Sequence, residues 1–210
     1  MFKNRKEAGQ LLAQKLSPYK NKKDVIILAI PRGGVEVAHE VAKSLNLPLD
    51  IIVVKKIGFP GNEEFAIGAA SVSSCHINEE ITARFAISKL YLDEQIKLKQ
   101  KEAKETSEIL RGKKLFPLVK NKIITLIDDG IATGETILMA SKIIKKQLPK
   151  KIIIAVPVGP KETCEKLRKE VDEVVCLLQP EEFMAIGQFY ESFPQVENEQ
   201  VRSYLKWKKK

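Results

Sequence analysis

The sequence predicts a single α/β domain in which a parallel β-sheet is flanked by helices. Five short apolar runs are rich in Ile and Val, as expected for buried strands. They cover residues 25–30, 49–55, 122–127, 151–156 and 174–178. Segments with helical apolar spacing separate them, and this alternation is typical of a parallel sheet with helices on both faces. No internal repeat or low-complexity linker interrupts the 210 residues, so we expect one domain over 1–210.

The remaining elements follow in chain order. An amphipathic helix opens the chain and ends at Pro18. A further strand is expected near 65–72. Helices are expected over residues 35–45, 134–147 and 161–170. The strongly charged stretch at about 79–111 reads as an inserted helical segment with a solvated face, and an RNA-binding role for it is the alternative.

The most informative segment spans residues 123–136, where an apolar run ends in two acids and a loop of small and hydroxyl residues leads into a helix. The acids, Asp128 and Asp129, fall at the carboxyl end of a strand, where parallel sheets place ligands. The loop supplies N–H and O–H donors at a helix N-terminus, which suits an anion. Carboxylates beside an anion cradle suit a ligand with both a diol and a phosphate, such as a sugar phosphate.

This segment resembles the 5-phosphoribosyl-1-pyrophosphate (PRPP) binding motif of the type I phosphoribosyltransferases. The chain as a whole resembles a subgroup of that family whose acceptor is unassigned. The resemblance implies that Asp128 and Asp129 bind the ribose hydroxyls and act in catalysis, while the loop wraps the 5-phosphate. The loop residues assigned to PRPP are Gly130, Ile131, Ala132, Thr133, Gly134 and Thr136. The alternative is a strand end with two exposed acids and a capped helix.

A second motif, Pro31-Arg32-Gly33-Gly34, follows the first apolar run and resembles the family's pyrophosphate loop. The guanidinium of Arg32 offers several donors to pyrophosphate oxygens. The resemblance implies a catalytic role for Arg32, pyrophosphate binding by Gly33 and Gly34, and often a non-proline cis peptide in this loop. Taken alone, such a turn would serve equally well as a connector.

A third motif, Lys55-Lys56 followed by residues 57–64, resembles the family's basic pair and mobile loop. The resemblance implies that both lysines bind pyrophosphate, that Lys56 is catalytic, and that the loop closes to exclude water from a reactive cation. Its Gly and Pro residues predict a non-helical loop. The alternative is a long hairpin with two solvated lysines.

One position departs from part of the family. The 6-oxopurine enzymes have an Asp just before the Thr-Gly pair, where it contacts the purine and can act as a general base. This chain has Ala132 there. The adenine and uracil enzymes also have a small residue at this position. The departure argues against a hypoxanthine or guanine acceptor.

Composition narrows the class of protein without choosing a partner. The net charge is +9, which would attract a polyphosphorylated substrate or a nucleic acid. The charges are spread along the chain and mixed with Glu, so nucleic acid is not the partner we expect. Three cysteines without paired spacing fit reduced thiols of a cytoplasmic protein. No signal peptide or membrane-length apolar run is seen, so no membrane partner is expected.

The extension at about 179–210 is richer in aromatic residues than the rest of the chain. The resemblance makes it a candidate for the variable hood that receives the acceptor base, where aromatic rings could stack on the base. The alternative, which we favour, is that Phe183, Phe189 and Phe193 anchor the extension to the core.

Together these motifs predict an enzyme that transfers a 5-phosphoribosyl group from PRPP to an acceptor, for which a nucleobase is expected, and releases pyrophosphate. Mg²⁺ is the expected cofactor, bound through substrate oxygens and water with no direct protein ligand. A homodimer is one oligomeric state open to it. The main alternative is a regulatory protein that binds PRPP without turnover.

Overall fold

A computed structural model describes residues 1–206, and its centre is a five-stranded parallel sheet. The strands are β1 Val25–Ala29, β2 Leu49–Ile51, β3 Lys55–Phe59, β4 Asn62–Ala70, β5 Cys75–Ile77, β6 Ile123–Ile127, β7 Lys151–Val158 and β8 Glu173–Leu178. The helices are α1 Arg5–Lys15, α2 Gly33–Leu45, α3 Glu79–Arg84, α4 Lys89–Arg111, α5 Glu135–Lys145, α6 Lys161–Arg168 and α7 Asn198–Tyr204. The parallel strands lie in the order β2-β1-β6-β7-β8, which confirms the predicted fold class.

The two faces of this sheet are covered by different helices. Side chains alternate between the faces along each strand, so Val25 and Ile27 of β1 join one buried cluster while Ile26 and Leu28 join the other. The first cluster contains residues of α1, α2 and α7, and the second contains residues of α5 and α6. This burial on both faces explains why the strands are apolar throughout.

The order of β1 and β6 positions the candidate site. These strands are paired in register from Val25 with Ile123 to Ala29 with Ile127. Their carboxyl ends therefore lie side by side, which brings the segment that begins at Pro31 next to the segment that begins at Asp128.

The prediction of a loop at residues 57–64 is wrong. Strands β3 and β4 form an antiparallel hairpin whose turn is Pro60–Gly61, and β5 completes a separate three-stranded sheet. Gly61 has φ +77°, the conformation that the third residue of a type II turn requires. The Gly and Pro residues thus mark one tight turn, and Lys55 and Lys56 lie at the start of a strand.

The inserted helical segment is confirmed as α3 and α4, with α4 packed on this hairpin. Ile57 and Ile67 of the hairpin are buried together with partly buried residues of α4 such as Tyr91. The hydroxyl of Tyr91 donates to the carbonyl of Gly58 at 3.0 Å. The position of the lysine pair therefore depends on α4.

The described part of the C-terminal extension packs against the main sheet. Phe183, Phe189 and Phe193 contact a buried cluster that contains Phe2 and Tyr190, as expected if they are anchors. Residues 207–210, which the predicted extension includes, lie outside the described residues. Within 1–206, no helix has both the length and the apolar character needed to cross a membrane.

Candidate active site

The acid pair and the arginine loop are in direct contact. A Cβ added to Gly34 would lie 2.7 Å from the Cα of Asp128, and one added to Gly33 would lie 1.9 Å from Asp129 Oδ2. Only glycine fits at these two positions, because a side chain would displace the acids. The Pro31–Arg32 peptide bond is cis, the form that the resemblance had led us to expect in this loop.

The two acids have different environments. Asp129 is 8% exposed, and its Oδ2 accepts a hydrogen bond from Arg5 Nε at 2.7 Å. Asp128 is half-buried, and its Oδ1 accepts from the backbone N–H of Asp129 at 2.9 Å. Asp129 is thus an ion-paired acid of the interior, and Asp128 is the more accessible member.

Arg5 is fixed by three groups at once. Besides its bond to Asp129, its Nη1 donates to the carbonyl of Pro194 at 2.6 Å. Its guanidinium lies 3.7 Å from the ring centroid of Phe193, a close cation–π contact. The hydroxyl of Tyr190 donates to the backbone carbonyl of Asp129 at 2.6 Å. The first helix and the C-terminal extension therefore hold the acid pair from opposite ends of the chain.

Two carboxyl groups near the acid pair junction, those of Asp128 and Glu36, have raised pKa values. Burial and then the negative charge of Asp129 raise the pKa of Asp128 well above the ordinary carboxyl range, and Arg5 opposes this only in part. Burial also raises the pKa of Glu36 on α2, where Asp129 adds to the shift and Arg5 opposes it. Raised carboxyl pKa values are common at functional sites, because such sites crowd charges together out of water.

The loop after the acids divides into a buried and an exposed part. Gly130 packs under Ile186, and the N–H of Ile131 donates to the carbonyl of Val158 at 2.9 Å. Because that N–H already donates to Val158, it is not available to a ligand, and residues 130–131 contribute packing contacts to the site. Ala132, Thr133 and Thr136 are exposed.

The exposed part leads into α5 through a left-handed residue. Gly134 has φ +74° and caps α5, and a Cβ there would approach Thr163 to 2.8 Å. The hydroxyl of Thr163 donates to the carbonyl of Ala132 at 2.8 Å, which fixes the loop to α6. The first N–H groups of a helix lack partners within it, so this end of α5 offers donors to an anion.

Arg32, Lys55 and Thr136 line one cavity of about 410 Å³, here called the arginine cavity. Its other walls come from the strand ends, α4 and the start of α7. These are Ile30, Pro31, Val53, Val54, Thr106, Ile109, Leu110 and Asn198. Arg32 is exposed, and none of the described residues that line the cavity has a carboxylate, so the chemistry of the cavity favours an anion. The structure thus brings three predicted site residues from three different motifs together.

Lys56 is placed differently from Lys55. Its Nζ donates to Glu64 Oε2 at 3.0 Å and to the Glu64 carbonyl at 3.2 Å, both within the hairpin. It lines a smaller cavity of about 60 Å³ with Glu135 and Thr136. Lys56 is therefore near the start of α5 but is already paired with an acid.

The donor set does not form a protein cage for a metal. Within residues 1–206, no group of three or more His, Cys, Asp or Glu side chains could hold an ion. Asp129 is engaged by Arg5, which leaves Asp128 as the available carboxylate of the pair. This chemistry suits a Mg²⁺ ion that arrives on substrate oxygens and retains its water.

Sequence reasoning did not find Arg5, Tyr190 or Phe193 as parts of the site. Arg5 lies in the first amphipathic helix, to which no part in the site was assigned. Phe193 was interpreted as a core anchor or as part of a hood over the acceptor base, and Tyr190 was given no role of its own. The buried partner of Asp129 could have been sought, since two adjacent acids beside an apolar run need a cation. Several distant arginines would have met that criterion equally well.

The fold and the site together define a phosphoribosyl transferase domain. The family model of that description matches residues 3–191, which includes the arginine loop, the hairpin and the acid pair. The chain belongs to this family.

Relatives agree with this assignment. Proteins of two Mycobacterium tuberculosis strains, provisionally named as phosphoribosyl transferases, are 37% identical over 207 residues. The alignment covers 98% of this chain and 46% of theirs, so the chain spans about half the length of the curated relatives it matches. The crystal structure of TT1426 from Thermus thermophilus is 34% identical, with a TM-score of 0.85 and 97% of each chain covered.

A more distant structure, the AQ2163 protein of Aquifex aeolicus, shares the fold alone. It is 16% identical with a TM-score of 0.52, and the match covers 96% of this chain and 85% of that one. The arrangement of the sheet thus persists where most side chains differ.

Proposed function

We propose that the protein transfers the 5-phosphoribosyl group of PRPP to an acceptor, with a nucleobase as the expected class, and releases pyrophosphate. The observation that carries this proposal is the junction of the acid pair with the arginine loop. Gly33 and Gly34 touch Asp129 and Asp128, and Arg32 on the same loop lines a cavity with Lys55 and Thr136. A diol site, a phosphate cradle and an anion site then share one end of the sheet.

In this proposal each group meets one part of the substrate. Asp128 accepts hydrogen bonds from the ribose diol, while Asp129, held by Arg5, supports the geometry of the pair. The exposed part of the loop, from Ala132 to Thr136, binds the 5-phosphate at the start of α5. Arg32 and Lys55 bind the pyrophosphate.

The chemistry is electrostatic and positional. Departure of pyrophosphate builds positive charge on the ribose ring, which the negative charge of the acid pair offsets, while negative charge develops on the leaving group beside Arg32. Mg²⁺ belongs to the proposal as an ion on the substrate's pyrophosphate, where it would neutralise charge when bound. A cytoplasmic location, and a homodimer as one open oligomeric state, belong to it too.

The alternative is a regulatory protein that binds PRPP without turnover. One observation favours it: the described residues that line the arginine cavity include no carboxylate that could act as a base. The intact set of Arg32 and Lys55 favours an enzyme, since a sensor that binds ribose phosphate has less use for groups on the pyrophosphate side.

Single-turnover cleavage of PRPP tests the proposal. Wild type is mixed with PRPP, Mg²⁺ and each member of a nucleobase panel, and pyrophosphate release is followed. We expect cleavage with at least one base, and a loss of rate in Arg32→Ala that exceeds the loss of PRPP affinity, because the leaving-group charge develops fully only as the bond breaks.

The matched control is Arg84→Ala, which removes an exposed arginine that lines neither the arginine cavity nor the smaller cavity at Lys56. Its rate should equal that of wild type. Tight PRPP binding with no cleavage by any base would instead support the regulatory alternative. Weak PRPP binding in wild type, together with Asp128→Asn that binds equally weakly, would refute both.

A further inference from the structure

A second cavity lies beside the arginine cavity and shares only Val53 with it. It has a volume of about 380 Å³, within the usual range for small-molecule sites. Its walls come from residues 51–53, the β4–β5 connection at 71–74, the C-terminal part of α4, and the loop 112–116. Gln147, beyond α5, completes it. We call it the Ser107 cavity.

Ser107 is the most informative residue of this cavity. It is 8% exposed and lines the cavity from within α4. Its hydroxyl makes no hydrogen bond among residues 1–206. In the same range, every side-chain N or O atom that is fully inaccessible has a partner, so the Ser107 oxygen must reach the cavity. A nearly buried hydroxyl without a protein partner is unfavourable unless water or a ligand bonds to it.

The cavity also carries unbalanced positive charge. Lys104, Lys113 and Lys114 line it and form no ion pair among the described residues. Arg111 lines it too, but its guanidinium is engaged by Asp50 and by the carbonyl of Leu115. Within residues 1–206, Glu108 is the one acidic residue in the lining. An anionic occupant would therefore be favoured.

The rest of the lining is apolar. Ile51, Ile52 and Val53 are buried at 5% exposure or less. Leu115 and Phe116 belong to the loop at the rim and are exposed at 93% and 36%. The open apolar side chains are therefore those of Leu115 and Phe116, and beside unpaired cations they suit a ligand with an apolar body and an anionic group.

We infer that the Ser107 cavity binds a small organic anion: a flat apolar body held against Leu115 and Phe116, with a phosphate or carboxylate that accepts from Ser107 and the lysines. The site is separate from the proposed PRPP site. It lacks a carboxylate pair for a diol, and its cations come from α4 and the following loop.

Titration calorimetry with 1-naphthyl phosphate tests this inference, because that probe has an apolar ring and a phosphate but no ribose diol. We expect saturable binding at one site per chain. 1-Naphthol and inorganic phosphate, which each supply one half of the chemistry, should bind at least about tenfold more weakly. 1-Naphthoate distinguishes a preference for phosphate from a general preference for anions.

Variants locate the bound probe. Lys113→Ala/Lys114→Ala should weaken its binding about tenfold or more, and Ser107→Ala should weaken it by a smaller factor. The matched control is Lys97→Ala/Lys101→Ala, which removes two exposed lysines of α4 that do not line the cavity. Gly134→Val, which blocks the PRPP loop, should also leave probe binding unchanged.

Two results would overturn the inference. One is the absence of saturable probe binding to a folded wild-type protein. The other is binding that Gly134→Val abolishes and the Lys113/Lys114 variant leaves intact, since the phosphate would then lie in the PRPP loop. Neither result depends on PRPP turnover, so the inference and the proposed transfer fail separately.

Discussion

The two sheets hold their candidate site residues in opposite ways. At the end of the parallel sheet, Asp129 is 8% exposed and is bonded to an arginine that is itself buried. On the three-stranded sheet, Lys56 is exposed and its ion pair is with Glu64, which is more exposed still. The first arrangement is fixed by burial and the second is in contact with solvent.

Under the proposed function, the difference between the two sheets reflects what each side of the site binds. A ribose has one shape, so fixed acids can be built for it, and preorganised groups are effective because they need not be ordered during the reaction. The leaving group must enter and depart. Lys56 on the hairpin is open to solvent, so an anion can reach it and leave it. The predictions that follow test this contrast.

The largest expected effect is loss of stability in Arg5→Met. This change leaves Asp129 as a buried carboxylate without its cation, and breaking a buried pair from one side costs about 3–5 kcal/mol. Urea denaturation measures the free energy of unfolding. The matched control is Lys56→Met on the hairpin, where an exposed pair contributes about 0–1 kcal/mol.

Equal losses in Arg5→Met and Lys56→Met would contradict the contrast between the two sheets. A double variant, Arg5→Met with Asp129→Asn, refines it. Because the double variant no longer has a buried carboxylate without its cation, part of the lost free energy of unfolding should be recovered.

The next effect compares two glycines. Gly34→Ala places a methyl group 2.7 Å from the Cα of Asp128, in backbone that cannot yield, and overpacking of this kind costs about 1–3 kcal/mol. Gly61→Ala meets no atom within 4 Å, and only its φ of +77° opposes the change, at about 1–2 kcal/mol. PRPP affinity, measured by calorimetry, should fall only in Gly34→Ala. Loss of affinity in Gly61→Ala alone would show that the hairpin, and not the sheet, sets the binding geometry.

A third effect links stability to pH through Asp128. Its folded-state pKa is raised, by burial and then by Asp129, so the folded state holds a proton that the unfolded state releases near pH 4. Stability therefore decreases as pH rises from about 4 through the folded-state pKa. Asp128→Asn keeps the acceptor oxygen and removes this decrease, so its advantage over wild type should grow with pH while PRPP affinity falls. Unfolding curves at several pH values provide the check, and parallel pH profiles would count against the raised pKa.

The smallest expected effects separate the two lysines. Lys55 lines the arginine cavity with Arg32, whereas Lys56 is already bonded to Glu64. We expect Lys55→Ala to slow single-turnover cleavage of PRPP about tenfold, which corresponds to about 1.4 kcal/mol, and Lys56→Ala to slow it less. A greater loss at Lys56 would mean that the hairpin rearranges when substrate binds and that Lys56 leaves Glu64.

Much of this architecture could be read from local sequence, and the exceptions have physical causes. Apolar runs such as residues 123–127 could be recognised as strands, because burial on both faces of the sheet excludes polar residues. The acid pair and Arg32 were found because each belongs to a short motif after an apolar run that resembles a motif of the family. The hairpin was considered only as the alternative to a loop, because Pro60 and Gly61 indicate a turn but not whether strands continue on both sides. Nothing in the sequence near Asp129 indicates that Arg5 is its partner, because the two residues are 124 positions apart.

The bonds that complete the acid pair join distant parts of the chain. Arg5 reaches Asp129 across 124 positions and the carbonyl of Pro194 across 189. Contacts of such separation close only after most of the intervening chain is ordered. On the ribosome, β1, α2 and β6 emerge before residues 190–194 do. A nascent chain can thus form its central strands while the acid pair still lacks the bonds of Arg5 and Tyr190, and the candidate site is complete only after the C-terminal extension is in place.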